Sequence, residues 1–415
     1  MSRMFRSPLM LMALTVFIDI TGFGLVLPLL PFWAQHLGAN PFGVGMILTS
    51  YALAQFIFTP VLGSLSDRYG RRPVIIFSLL VEALSLAFSA IAWTLPILLL
   101  ARFIGGVGAS NIGSAQAVVA DTTPPEGRAR GMGLIGASIG LGFVIGPAIG
   151  GVLAILGTTV PFWVAAVVAL VNALLVFRFL PETRTQRTEP SPARVGGASI
   201  LSSWRRALRS PAVARLVAVN LLFTLAFTAM EAVFPLFTEH AFGWKEVQNG
   251  YIFTYVGVII VIMQGGLVGR LVKRFGEQPL LLFGLGALAV GLLLLPLGTS
   301  LGVLLIATGI LSIGDGAVTP SSSALLSFAA PVDAQGETLG VAQGAGGLGR
   351  VLGPIIAGGL FSLSGPAAPF IVGGLLSVFA LLFALPRLPR GTHAKSAAPA
   401  SVEPGEPAPA AGPAQ

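Results

Sequence analysis

Cysteine is absent from this 415-residue chain, which excludes disulfides, iron–sulfur clusters and thiolate metal sites and leaves the compartment open. Histidine is scarce. His36, His240 and His393 lie nowhere near one another at ligand spacing, so no metal site is expected. Lysine occurs three times, and no Gly-x-x-x-x-Gly-Lys-Ser/Thr stretch is present, so the chain is not expected to hydrolyse ATP or to carry a cofactor. Charge of either sign is thin: 10% of residues, against 54% hydrophobic. With a mean hydropathy of +0.88, a soluble domain would lack the polar residues needed to cover its surface. A bilayer removes that need. The net charge of +8 sits between apolar runs, where it acts as a topology signal towards anionic lipid and does not point to nucleic acid.

What is present is a series of apolar runs. A helical span needs about 20 such residues. Runs near 9–31, 43–62, 74–93, 97–120, 131–155 and 160–180 form one set; those near 212–238, 249–269, 280–297, 301–328, 338–362 and 368–386 form a second. The expectation is an all-α polytopic membrane protein with twelve transmembrane helices. The first run exceeds the apolar core of a secretory signal and no small-x-small site follows it, so it is expected to remain as a span. An even number of spans puts both termini on one side. With that side cytoplasmic, twenty-one of the 24 arginines and lysines face inwards, Lys245 faces outwards, and Arg102 and Arg350 lie within spans. The protein is expected in the plasma (inner) membrane, in contact with its lipids.

The longest polar interruption divides the chain into residues 1–180, a cytoplasmic linker at 181–211, residues 212–386, and a tail at 387–415 that is rich in Ala and Pro towards its end and expected to be disordered. Within the linker, Ile200, Leu201, Trp204 and Leu208 share a helical face opposite Arg205, Arg206 and Arg209; a short helix on the inner leaflet and a structureless linker both fit. The halves repeat. Gly63, Leu65, Arg68, Gly70 and Pro73 recur 206 residues later as Gly269, Leu271, Arg274, Gly276 and Pro279. Gly140, Leu141, Gly142, Val144, Gly146 and Pro147 recur 207 residues later as Gly347, Leu348, Gly349, Val351, Gly353 and Pro354. Two six-helix repeats with a site at their interface are a common transporter design.

The most specific motif is Gly63-Ser-Leu-Ser-Asp67-Arg68-Tyr-Gly70-Arg71-Arg72-Pro73, in the tight inner loop between spans 2 and 3. A basic loop with turn residues accounts for the arginines and Gly70, but not for Asp67 or the fixed order. This string resembles the signature loop of the major facilitator superfamily. Further stretches resemble its twelve-span drug:proton antiporters, tetracycline efflux proteins in particular. These are Asp19 with Gly22, Gly24, Leu25, Pro28 and Pro31; Leu100-Ala-Arg102 through Gly105 and Gly108; and Gly140-Leu-Gly142-Phe-Val-Ile-Gly146-Pro147 with Gly150-Gly151. The last is similar to the family's antiporter motif. Gly142, Gly146 and Gly150, spaced by four, line one helix face where another helix can approach closely, and Pro147 can kink the helix. The resemblance implies the major facilitator fold, export of a small-molecule substrate against protons, and a monomer. Three features depart from the tetracycline pumps: span 9 carries no charge, the span 3 acid Glu82 is off register by about a turn, and Arg350 occupies span 11. Fold and coupling class therefore carry over better than tetracycline itself.

Ionisable residues inside spans are costly and usually face a cavity or a partner. Here they are Asp19, Glu82 and Arg102 in the first half and Glu231, Asp315 and Arg350 in the second. At about 1.5 Å of rise per residue, Asp19, Glu82, Asp315 and Arg350 are expected near mid-membrane, with Arg102 and Glu231 nearer the outer face. Burial favours a neutral acid and a neighbouring arginine favours the carboxylate, so an acid that alternates between the two surroundings can load and release a proton. These six are the candidate proton- and substrate-binding residues; static ion pairs that lock helices are the alternative. Asp315 and Arg350, at similar depths, are expected to pair in at least one state. Three readings remain: a proton-coupled exporter of drugs or amphipathic metabolites, a transporter of the same fold with another direction or cargo (sugar, peptide or lipid), and a membrane enzyme or receptor. The absence of cysteine and of any His-x-x-x-His disfavours the last.

The candidate gating loop comprises Gly63, Asp67, Arg68, Gly70, Arg71 and Arg72. Span 11 begins at the inner surface, and a helix N-terminus attracts a carboxylate by about 0.3–1 kcal/mol. Asp67 meeting that end only when the inner side is closed would bias the two-state equilibrium. On this reading, Asp67→Asn raises the reactivity of cysteines placed at the inner ends of spans 4 and 10 towards aqueous thiol reagents. An unchanged inner-to-outer ratio in a well-expressed variant would rule the gate out.

Overall fold

The structure, a computed structural model, describes residues 7–183, 197–298, 300–331, 334–386 and 388. Among them there is no β-strand. The helices are α1 (Pro8–Val26), α2 (Leu30–His36), α3 (Pro41–Tyr69), α4 (Arg71–Ala90), α5 (Leu95–Gly108), α6 (Ile112–Thr122), α7 (Pro125–Leu153), α8 (Val160–Phe179), α9 (Gly197–Ala207), α10 (Pro211–Phe242), α11 (Glu246–Ile262), α12 (Val268–Phe275), α13 (Glu277–Leu294), α14 (Leu301–Ala329), α15 (Gln335–Ser364) and α16 (Ala368–Ala384). Among the described residues, eleven helical stretches are long and apolar enough to cross a membrane; α16, where a twelfth is expected, is apolar and 17 residues long. Large apolar side chains such as Leu84, Phe177 and Phe283 stand exposed on the outside of the bundle, as lipid-facing residues would.

Local chemistry explains most boundaries. Proline begins α1, α3 and α10, where the missing N–H costs nothing, and Asn40 caps α3 by accepting the Gly43 N–H at 2.8 Å. Gly70 (φ 103°) turns α3 into α4, and Gly276 (φ 87°) turns α12 into α13. Several expected spans are interrupted. The first ends at Val26 and resumes as α2 across Pro28. A kink at Ala109–Asn111 separates α5 from α6, and a π-helical segment at Met263–Leu267, containing Gly265-Gly266, separates α11 from α12. The linker forms a helix over Gly197–Ala207. Trp204 packs against the largest core cluster beside Gly344 of α15, and Arg206 pairs with Glu337 at 2.9 Å. Residues 184–196 and, apart from Leu388, the tail from 387 lie outside the described residues.

The largest core cluster draws on residues between 207 and 388, and two others draw on residues between 11 and 180 joined by Leu236. Helices from the two stretches meet along two seams, α3 on α15 and α7 on α11. Glycine builds both. Gly45 abuts the Pro354 carbonyl and Gly358 abuts that of Pro41, while Thr49 Oγ1 donates to Val351 O at 2.8 Å. Gly151 faces Gly250, and Gly257 faces Phe143 and Val144. These approaches concentrate in the halves of the helices far from the Asp67 loop.

The glycine face of α7 turns towards α1. A Cβ on Gly146 would lie 2.7 Å from Gly24 Cα and 2.8 Å from Thr21 O; one on Gly142 would strike Ile20, and one on Gly150 the Leu25 carbonyl. Gly349 and Gly353 press on α10 in the same manner. Ordinarily Gly→Ala stabilises a helix by about 0.5–1 kcal/mol. At Gly146 the obstacles are backbone atoms, so Gly146→Ala is expected to destabilise by about 1–3 kcal/mol. This would read as a lower thermal-melt midpoint of the purified protein, whereas Gly133→Ala, with open space around it, leaves the melt unchanged or raises it.

Candidate functional site

A cavity of about 430 Å³ lies among α7, α10, α11, α14 and α15. That falls in the range of small-molecule sites, about 300–1,000 Å³. Its wall combines the aromatic rings of Phe143, Phe223, Phe227, Phe234 and Phe253 with Asn220, Gln264 and Gln343, and with the charged Glu231, Asp315 and Arg350. Phe223 and Phe227 stack at 6.3 Å, and Phe234 meets Phe253 edge-on at 5.9 Å. Asn220 lines the cavity while donating to Ala342 O at 2.6 Å, so it is both satisfied between helices and available to a ligand. The cavity reaches Gly136, Ser323, Leu326 and Leu339, towards the end of the bundle that carries the Asp67 loop.

Glu231, Asp315 and Arg350 thus line one cavity. In this conformation no ion pair joins Arg350 to Asp315 or to Glu231, and Glu231 is the acid whose charge acts on Arg350. The reason is helix adjacency: α15 packs most extensively on α10, which carries Glu231, and only slightly on α14, which carries Asp315. Arg350 itself is exposed to the cavity.

The other three charges form a second cluster. Asp19 on α1 faces Glu82 on α4 and Asn111 at the α5–α6 kink, and Arg102 on α5 neighbours Glu82. All are buried. Gly108 lets α5 lie against the Glu82 backbone, and Gly106 lies against that of Tyr51 on α3. The guanidinium of Arg102 sits 4.7 Å from the centre of the Tyr51 ring, a cation–π contact. Asp19 Oδ1, Glu82 Oε2, Arg102 Nε and Asn111 Nδ2 are buried with no hydrogen-bond partner. Buried polar atoms in a native site call for a proton, a water or a ligand.

A smaller cavity of about 90 Å³ joins the two clusters. Tyr51, Gln55 and Arg102 line one side; Thr228, Glu231 and Arg350 line the other, and these last three also line the larger cavity. Tyr51 and the cavity phenylalanines are absent from the candidates drawn from sequence. Tyr51 and Gln55, four apart on span 2, put polar groups on one helix face, which is the signal that could have found them. The phenylalanines carry no such mark among 27 in the chain.

In the loop, Asp67 Oδ1 lies 2.7 Å from Arg71, whose Nε lies 3.2 Å from Asp121. Ser66 Oγ accepts from Arg71 at 2.8 Å, and Glu182 accepts the backbone N–H groups of Arg71 and Arg72 at 2.9 and 3.2 Å. Gly70 needs its positive φ and also has Glu182 where a Cβ would be. The Arg72 guanidinium lies over Phe177, that of Arg68 over Tyr69, and Gly63 stands in open space. The loop is thus a charge network tied to the ends of α6 and α8.

The influence of Glu231 on Arg350 makes a measurable difference. Coupled residues depart from additivity by about 0.5–3 kcal/mol. Glu231→Gln and Arg350→Gln together are expected to destabilise less than the sum of the singles, measured by thermal unfolding. Asp315→Asn with Arg350→Gln is expected to be additive.

The sequence matches the Major Facilitator Superfamily over residues 12–297 and 265–412. It is 34% identical over 388 residues to the class C tetracycline resistance protein of Escherichia coli, covering 92% of this chain and 96% of that one. It is 29% identical over 373 residues to multidrug resistance protein 2 of Bacillus subtilis (strain 168), covering 88% and 91%. Its structure resembles the crystal structure of the human organic anion transporter MFSD10 (TETRAN), with a TM-score of 0.71 and 27% identity over 92% of this chain and 99% of that one. Apolar spans, a charged cavity between helices and relatives that are transporters agree: this chain is an integral membrane transporter, not an enzyme, and it belongs to the Major Facilitator Superfamily alongside the tetracycline and multidrug resistance proteins.

Proposed function

We propose that this chain exports amphipathic small molecules in exchange for protons, by alternating access between two six-helix halves, residues 1–180 and 212–386, joined by the linker at 181–211. The observation that carries this reading is the surplus of acid in both buried clusters. Asp19 and Glu82 share a cluster with one arginine, Arg102, and Glu231 and Asp315 line a cavity with one other, Arg350. Full ionisation would leave each cluster one negative charge in excess, which a low-dielectric interior does not tolerate. A proton or a positively charged group of the cargo removes that excess. Two ligands that neutralise the same charge compete for it, and competition between proton and cargo is the basis of exchange.

Taking the Asp67 loop as cytoplasmic, the large cavity faces inwards, and the α3–α15 and α7–α11 seams close the outside. Cargo loads from the inner side: its rings lie against Phe223, Phe227, Phe234 and Phe253, and its polar part reaches Glu231 and Asp315. Closing the inner end and opening the glycine seams delivers it outside. Asp67 holds Arg71 in this conformation, and its gating role belongs to the opposite one. Both termini are then cytoplasmic, and the transporter works as a monomer in the plasma membrane. The relatives named for tetracycline and multidrug resistance support export. A second reading, an organic anion as cargo, is favoured by the exposure of Arg350 to the cavity and by the relative named an organic anion transporter.

A drug-susceptibility panel in a pump-deficient host, run with and without a protonophore, tests the proposal. Expression is expected to raise tolerance to amphipathic cations, and the protonophore to abolish the gain. Asp19→Asn is expected to express normally and to lose uphill export. Proton-driven export by that variant would overturn the assignment of Asp19, and tolerance gained only towards organic anions would favour the second reading.

A further inference from the structure

The acid pair in the first half and the cargo cavity do not touch. Asp19 and Glu82 line neither cavity; the near wall of the 90 Å³ cavity, which carries their neighbours Tyr51 and Arg102, is built from α1, α2, α3 and α5. A cavity of that size holds about three waters at about 30 Å³ each. On the far side those waters would meet Glu231, Thr228 and Arg350. A proton reaching the Asp19–Glu82 pair from the cavity must cross the near wall.

The wall has few groups able to pass it on. Phe23, Val26, Leu27, Leu30, Leu48 and Ala52 are apolar. The Gln55 amide is engaged, donating to Ala109 O at 3.2 Å. Arg102 does not release a proton and has no acceptor. Tyr51 remains. Its hydroxyl both donates and accepts. The residue is half-buried, lines the cavity, and has Asp19, Glu82 and Arg102 as its charged neighbours. Its ring is held from two sides, by the Arg102 guanidinium at 4.7 Å and by the Phe23 ring at 5.4 Å.

We propose that Tyr51 is the relay through which protons pass between the central cavity and the Asp19–Glu82 pair. The inference rests on the reading of that pair as the proton site. As the step runs, a proton that enters the cavity from bulk solvent as a protonated water passes to the Tyr51 oxygen, leaving neutral water, while the Tyr51 hydroxyl gives its own proton to a carboxylate of the pair. The tyrosine ends as it began, with one proton moved inwards; release is the reverse. The ionisable groups facing the step are Asp19 from α1, Glu82 from α4 and Arg102 from α5, with Glu231 and Arg350 across the cavity. Arg102 has a positioning role: its guanidinium lies over the Tyr51 ring and neighbours Glu82, which keeps that carboxylate ready to accept.

The test needs no cargo. Full-length protein in lipid nanodiscs is subjected to a pH jump while the carboxylic-acid carbonyl stretch is followed by infrared spectroscopy; the band of the pair is the one lost in Glu82→Gln. Tyr51→Phe keeps the ring and its packing but removes the hydroxyl. It is expected to slow proton loading of the pair by at least about tenfold, the order of a lost proton-transfer group, at unchanged final amplitude and unchanged thermal melt. Tyr51→Ala opens the wall to water and is expected to load as fast as the native protein or faster. A purely structural tyrosine would show the opposite order, with the alanine variant worse. A Tyr51→Phe variant that loads at the native rate overturns the relay while leaving the pair intact as the proton site. If no band of the native protein that responds to the jump disappears in Glu82→Gln, the proton-site reading falls and the relay falls with it.

Discussion

A charge in a bilayer interior has no water to lean on, and every group placed there must be answered by another group, a proton or a cavity. That constraint organises this molecule. Asp19, Glu82, Arg102, Glu231, Asp315 and Arg350, the charges deep in the apolar spans, gather into two clusters, each with two acids and one arginine. Around them the helices break where regular geometry would not deliver the side chain. Asn111 reaches Asp19 from a kink, and Gln264 lines the cavity from the π-helical segment in Met263–Leu267.

The two clusters differ in their surroundings. The second opens onto a cavity large enough for a drug-sized ligand, with rings for an apolar body and charge for a polar end. The first is buried, leaves polar atoms unpartnered, and has as neighbours Tyr51 and Arg102, which line the smaller cavity. On the proposed function, keeping cargo apart from the buried acid pair suits a machine in which one ligand controls the other.

Helices must also slide or rock if access is to alternate, and here their contact surfaces are backbone against backbone. Glycine at Gly45, Gly146, Gly151, Gly250 and Gly358 removes the side chains that would interlock. In lipid there is no hydrophobic gain from bringing apolar helices together, so close packing at small residues supplies the association. Contacts of that kind are tight without being keyed, which suits a seam that opens and closes.

Much of this was written in the one-dimensional pattern. Apolar runs located the spans because a bilayer demands about 20 residues. Asp19, Glu82, Arg102, Glu231, Asp315 and Arg350 announced themselves by standing as charges inside those runs, and glycine at a spacing of four marked a contact face before any contact was seen. Tertiary structure decided the partners. Depth along a helix places a charge on one axis only, so the similar depths of Asp315 and Arg350 do not say which acid lies beside the arginine in a given conformation. Which helix lies beside α15 depends on packing summed over whole faces, and in this conformation that packing sets α10, which carries Glu231, against it. For the same reason the cavity phenylalanines carried no signal of their own, and Tyr51 only the polar spacing that it shares with Gln55: an aromatic ring in a span is ordinary until helices converge to make it a wall.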